Sequence, residues 1–191
     1  MKILVINGSP RKKGSIAIML HAVVDKLENV EMHWIDVNDL KIRPCMGCMK
    51  CRETGICILP PDDGHRMAEE VKWCDALVLG TPVYWGNMSG QMKLMFDRIV
   101  PSMMGESRLG IPIALHKGKK AVIATACTTI WPFSWIARET SNTNHAMKEI
   151  LHYSGFKVTG KLVYPGTKGK KQVPDRLIRK AGRLGRRLAR L

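Results

Sequence analysis

The chain has 191 residues, 45% of them apolar, and no low-complexity tract, so it carries enough apolar sequence to close a core and is not of a disordered or fibrous class. Lysine and arginine number 31 against 16 acidic residues, and the formal charge of +15 attracts phosphates without choosing among a dinucleotide, a nucleic acid and a membrane surface. No apolar run reaches the roughly eighteen residues of a membrane span, and MKILVINGSP enters a turn too early for a secretory leader, so one cytoplasmic domain over residues 1–191 is expected.

Lys2 to Ile6 reads as a strand ending at Asn7-Gly8-Ser9-Pro10, and Ile16 to Leu27 has helical spacing. Glu31 to Val37 is a second strand. After a cysteine-rich loop, residues 43–62, Asp63 to Trp73 has helix-forming composition, with Asp62 or Asp63 as its N-cap. Ala76 to Leu79 is a third strand, apolar throughout as suits a strand covered on both faces. Ser89 to Val100 is helical, Lys120 to Ala126 is the fourth strand, Thr143 to Tyr153 a helix closed by Gly155, Lys157 to Tyr164 the fifth strand, and Asp175 to Leu191 a basic C-terminal helix. Five strands separated by helices predict an α/β fold: a doubly wound, five-stranded parallel sheet with helices on both faces. The stretch CTTIWPFSWIARETSN is read as irregular, and its Trp131, Phe133 and Trp135 are candidates to line a ligand or seal a subunit contact.

In such a sheet ligands bind beyond the carboxyl ends of the strands, which singles out NGSPRKKGS, TPVYWGNMSG and the tryptophan-rich loop. The first is neither G-x-G-x-x-G nor a P-loop. It nevertheless sets Ser9, Arg11 and Ser15 ahead of a helix, where hydroxyls, backbone amides and a helix N-terminus suit a phosphate monoester. In the second, Gly86-Asn87 permits unusual backbone angles, and Tyr84 and Trp85 offer flat apolar surface to a flat ring.

Arg43 to Cys57, RPCMGCMKCRETGIC, holds four of the six cysteines in C-x2-C-x2-C-x5-C spacing. A reducing compartment disfavours a disulfide, which leaves an iron-sulfur ligand set, a zinc site or a loop of thiols. Cys74 and Cys127 read as small core residues, and the six histidines show no pair at metal spacing.

The combination GSPRKKGS, PCMGCMKCRETGICILPPDD and TPVYWGNMSGQMKLMFDR, in that order, resembles the NAD(P)H-dependent FMN reductase family of the flavodoxin-like fold, particularly its iron-sulfur flavoprotein branch. The resemblance implies that Ser9, Arg11 and Ser15 hold the FMN phosphate, with Ile16 standing where a hydroxyl residue is common. It further implies that Pro82, Tyr84, Trp85, Gly86, Asn87 and Met88 wrap the isoalloxazine, largely through backbone groups, and that Cys45, Cys48, Cys51 and Cys57 bind a 4Fe-4S cluster. The activity so implied is an FMN-dependent oxidoreductase. It would take electrons from NAD(P)H and pass them to a small acceptor, a quinone or a flavin, or through the cluster to a protein. The alternative is an electron carrier that exchanges electrons with ferredoxin and has no productive NAD(P)H site; complementary charge motivates it. A homodimer or homotetramer is implied as well.

From Lys168 onward the chain carries ten basic residues and one acid, Asp175. Leu177, Ala181, Leu184, Leu188 and Leu191 form an apolar stripe along that last helix. Packing of the helix on its own domain accounts for the stripe, so neither nucleic-acid nor membrane binding is expected of it, although the basic tail leaves both open.

Overall fold

The computed structural model describes residues 1–170 and 172–189. In chain order the elements are β1 (Lys2–Asn7), α1 (Ser15–Val24), β2 (Glu31–Asp36), a 3-10 turn (Val37–Asp39), α2 (Cys51–Thr54), α3 (Asp63–Trp73), β3 (Ala76–Pro82), α4 (Gly90–Arg98), α5 (Val100–Met103), β4 (Met104–Glu106), β5 (Pro112–Ala114), β6 (Lys120–Ala126), α6 (Phe133–Ile136), α7 (Glu139–Ser154), β7 (Lys157–Tyr164) and α8 (Asp175–Ala189).

Five strands pair in parallel in the order β2-β1-β3-β6-β7, and β4 and β5 form a separate antiparallel hairpin. Counted among themselves, the parallel strands run 2-1-3-4-5, the flavodoxin-like order, which places its ligand crevice where the winding reverses beside the first strand. The central strands are apolar along their length because both faces are covered: β1 after Lys2, and β3 up to Thr81, are buried throughout. One face packs Leu4, Leu77, Leu79 and Ile123 against Met67, Met92, Met95 and Met147 of α3, α4 and α7. The other packs Ile3, Val5, Val78 and Val122 against Met19 and Leu20 of α1 and Leu184 of α8.

The sequence boundaries hold for β6, β7 and α3, and Asp62 is the cap of α3: its carboxylate accepts from Gly64 N at 2.9 Å, and Asp62 N–H donates to His65 Nδ1 at 3.2 Å. Helix α7 begins at Glu139, ahead of the expected Thr143, through a run of threonine, serine and asparagine that is poor helix-forming material. Tertiary bonding overrides propensity there: Asn144 Nδ2 donates to Thr125 Oγ1 on the neighbouring strand at 3.1 Å as well as to Thr140 O, and Thr143 Oγ1 donates to Glu139 O. The stretch read as irregular after β6 thus contains α6 and the first turn of α7. The β4–β5 hairpin was not expected either, since three-residue strands are too short to show alternation.

On α8, Leu177, Ala181, Leu184 and Leu188 are buried, so the stripe is consumed by the domain's own core; Leu191 lies outside the described residues. Among the described residues no helix is long and apolar enough to cross a membrane.

Candidate functional site

A cleft runs across the carboxyl ends of the sheet in two adjoining parts that share Val83, Tyr84, Cys127 and Thr128. The first part, about 420 Å³, is lined by Ser9, Arg11, Ser15, Ile16 and Pro82 together with Lys170. The loop that forms its floor is fixed by local bonds: Asn7 Nδ2 donates to Asp36 Oδ1 at 2.6 Å, Ser9 N to Asn7 Oδ1 at 3.1 Å, and Arg11 N to Ser9 Oγ at 3.2 Å. It delivers the chain to α1, whose N-cap is Gly14 and whose first turn has neither a side-chain cap nor an acidic residue. The free amides of a ten-residue helix therefore point into a cleft whose nearby charges, Arg11, Lys13 and Lys170, are all positive. Nothing among the described residues pairs with the Arg11 guanidinium.

The second part, about 550 Å³, is bounded by Tyr84, Trp85 and Gly86 on one side and by Thr129, Glu139 and Asn142 on the other. Tyr84 and Asn87 exchange both backbone hydrogen bonds at 2.9 Å, closing a two-residue turn in which Trp85 (φ 53°) and Gly86 (φ 69°) are both left-handed. Glycine takes that geometry freely; tryptophan does so against its steric preference. The Trp85 side chain stands in solvent, Tyr84 is half exposed, and Asn87 Oδ1 accepts from Met88 N at 2.8 Å. Asn87 and Met88, expected from the sequence to wrap a ring, line neither part, and the Met88 side chain is in the core. Cys127 sits at the junction of the two parts, its thiol pushed up by burial and by Glu139.

The two loops are tied to one another at Ser89, which caps α4: its Oγ donates to Gly8 O at 2.7 Å, and its N–H donates to Thr81 Oγ1 at 2.9 Å. Ser89→Ala removes the cap and leaves a buried carbonyl unpaired, and is expected to lower stability by about 1–2 kcal/mol, read as an earlier denaturant midpoint with unchanged slope.

On the α3–α4 side, Cys45, Cys48, Cys51 and Cys57 line one small cavity of about 90 Å³. The loop that carries them turns at three left-handed residues, Gly47 (φ 66°), Met49 (φ 60°) and Gly55 (φ 73°). All six cysteines are unpaired, and among the described residues no three of the cysteine, histidine or acidic side chains already stand as a metal-binding group. The Cys51 thiol is held above its ordinary value by burial, with Arg52 opposing and with Cys57, Cys45 and Cys48 adding to the rise. At the neck of the loop, Arg43 N donates to Asp62 Oδ2 at 3.0 Å, and His65 Nε2 lies 3.0 Å from Cys57 O. Because His65 Nδ1 accepts from Asp62 N–H, Nε2 carries the ring hydrogen and donates it to that carbonyl.

With this geometry in hand, the comparison that decides the family is a match to the family model described as NADPH-dependent FMN reductase over residues 1–164. The chain belongs to that family. An iron-sulfur flavoprotein of Methanocaldococcus jannaschii is 35% identical over 107 residues, 55% of this chain and 55% of its own. A second iron-sulfur flavoprotein of the same organism is 31% identical over 140 residues, 70% of each chain. The chain spans about half the length of most such curated relatives. The fold is also that of an FMN-dependent NADH-azoreductase from Bacillus anthracis solved in complex with FMN, with a TM-score of 0.69, covering 99% of this chain and 98% of that one at 14% identity.

Of the residues singled out in the sequence, Ser9, Arg11, Ser15, Ile16, Pro82 and Tyr84 line the first part of this reductase-family chain's cleft, and Trp85 and Gly86 the second. Thr128, Thr167, Lys170 and Glu139 were not singled out. Thr167 and Lys170 follow β7, and the rule that pointed to the loops after the first, third and fourth parallel strands applies equally to the fifth.

Proposed function

We propose that the chain is an FMN-dependent reductase that takes electrons from NAD(P)H. The observation that carries this reading is the continuity of the cleft, from an uncapped helix N-terminus ringed by Ser9, Arg11, Ser15 and Lys170 to the flat turn at Tyr84–Asn87. A phosphate monoester fits the first end, where the Arg11 guanidinium and Ser15 meet the helix amides, and a planar ring fits the second. FMN, when bound, supplies hydride and electron transfer; the residues supply place and orientation. Ser9, Arg11, Ser15 and Lys170 hold the phosphate. The backbone of Pro82 to Met88 lies along the ring edge, and Thr128 and Thr129 close the other side. The open space beyond Tyr84 and Asn142 admits a nicotinamide and then an acceptor in turn. The acceptor is a small molecule, a quinone or a flavin, or a protein reached through the cysteine loop.

The donor set of that loop suits a 4Fe-4S cluster: four thiolate sources on one cavity, on a backbone freed by left-handed residues. Cys45, Cys48, Cys51 and Cys57 would hold it, and it would supply one-electron transfer between the flavin and a protein partner. The iron-sulfur flavoproteins among the relatives favour this over a bare thiol loop. A ferredoxin-type exchange without a productive NAD(P)H site is the second reading, favoured by the +15 charge. The exposed Ile130, Trp131, Phe133, Trp135 and Ile136 beside the cleft suit burial in a homodimer or homotetramer.

The deciding measurement is an anaerobic absorption spectrum, with iron and sulfide assayed on the same sample, followed by rapid mixing with NADPH, NADH and reduced ferredoxin. Bound FMN reduced by NADPH or NADH supports the main reading. FMN reduced by ferredoxin alone selects the second, and protein that never binds FMN overturns both. Arg11→Ala removes a charge-assisted hydrogen bond of about 1.5–3 kcal/mol, so FMN is expected to bind roughly ten- to a hundredfold more weakly, read by fluorescence titration.

A further inference from the structure

Arg98, at the last turn of α4, is 3% exposed, and its surroundings are not those of an ordinary structural arginine. Its fork meets the Asp62 carboxylate at both oxygens, Nη1 to Oδ2 at 2.8 Å and Nη2 to Oδ1 at 3.0 Å, and Nη1 also donates to Arg43 O at 2.5 Å. Asp62 in turn accepts from Arg43 N. One guanidinium therefore binds the first and the last residues of the cysteine-rich loop 43–62 to each other. The same side chain lines the four-cysteine cavity together with Cys57. Its Nε, fully buried, has no acceptor among the described residues, an expensive state for an N–H on a cation. A sulfur-rich centre in the adjoining cavity would provide one.

We propose that Arg98 is the positioning residue of the four-cysteine site: it locks the neck of the loop through Asp62 and Arg43, and it offers its buried, unpaired Nε–H to the centre the four cysteines hold. The assignment rests on the iron-sulfur reading for its second part and on the chain's own geometry for its first. It separates the loop's two requirements: four donors, legible in the spacing, and a scaffold that brings them together, supplied from a helix far along the sequence. Outer-shell partners of this kind, when replaced, lower metal affinity roughly ten- to a hundredfold, and a hydrogen bond and positive charge withdrawn from a cluster sulfur make its potential more negative.

The experiment compares the wild type, Arg98→Lys, which keeps the charge and loses the fork, and Arg98→Met, which keeps bulk and loses every donor. Each protein is reconstituted anaerobically with iron and sulfide. FMN content and far-UV circular dichroism report the fold; iron per chain, the cluster's midpoint potential and limited proteolysis of loop 43–62 without metal report the site. The expected result is near wild-type FMN and fold in both variants. Arg98→Met should retain iron at least about tenfold less tightly, and Arg98→Lys should retain it with a more negative potential. In both, loop 43–62 should be cut faster than in the wild type. Folded variants with wild-type iron affinity, potential and cleavage rate overturn the proposal. If the wild type itself takes up no cluster, the iron-sulfur reading fails, and proteolysis alone judges the clamp: faster cleavage of the lysine variant sustains it and equal cleavage overturns it. If Arg98→Met does not fold, the lysine variant decides in the same way.

Discussion

Gly185→Ala is expected to lower the stability of the protein by about 3 kcal/mol, while Gly182→Ala, one turn earlier on the same helix, is expected to raise it by roughly 0.5–1 kcal/mol. A methyl group at residue 185 would fall inside the van der Waals envelope of the Val23 carbonyl oxygen on α1, a backbone atom that cannot rotate away. Helix α8 would have to lift from α1 and withdraw Leu184 and Leu188 from the core they complete. At residue 182 the methyl would come no closer than 3.9 Å to Ala22 O, ordinary contact distance, so the substitution only removes the entropic disadvantage of glycine within a helix. Urea unfolding of both variants checks this; midpoints moving in the same direction would show that the two glycines do not set the separation of the helices.

The second large effect is expected at Asp62. Asp62→Asn leaves the Arg98 guanidinium buried with its counter-charge gone, and such a half-broken pair costs about 3–5 kcal/mol. Burial alone would raise the Asp62 carboxyl, but the hydrogen bonds from Arg98 and from the backbones of Arg43 and Gly64 outweigh it and hold the group well below the usual carboxylate range. A depressed folded value stabilises the fold at every pH above the unfolded value of about 3.9. That contribution is lost as pH falls from there toward the folded value. The wild type should therefore lose stability on acidification below about pH 4 more steeply than Asp62→Asn, in which this titration is absent. Parallel acid profiles for the two proteins would show that the carboxylate is not the group responsible.

The sheet was legible because its strands are buried on both faces, so KILVIN, ALVLGTP and KAVIATA read as apolar runs whatever follows them. Both ends of the cleft were legible for a related reason: the polar, glycine-containing loops that follow such strands lie at the carboxyl end of the sheet, where ligands bind. What escaped the sequence depends on contacts between distant residues. The start of α7 is set by Thr125 reaching Asn144 across the sheet. The basic end of the cleft is completed by Lys170, far along the chain from Arg11. Arg98 looked like any charge near a helix end, where a cation is favoured in any case, and only the folded chain brings it against Asp62. Tyr84 and Trp85 were recognised as a pair, but the turn sends Trp85 outward, a consequence of two successive left-handed residues that composition alone does not state.

Helix α4 joins Ser89, bonded to Gly8 and Thr81, to Arg98, bonded to Arg43 and Asp62. Its nine residues span about 13 Å at 1.5 Å each, and a regular helix compresses very little. A single covalent strut therefore sets the spacing between the loop after β1 and the neck of the cysteine-rich loop.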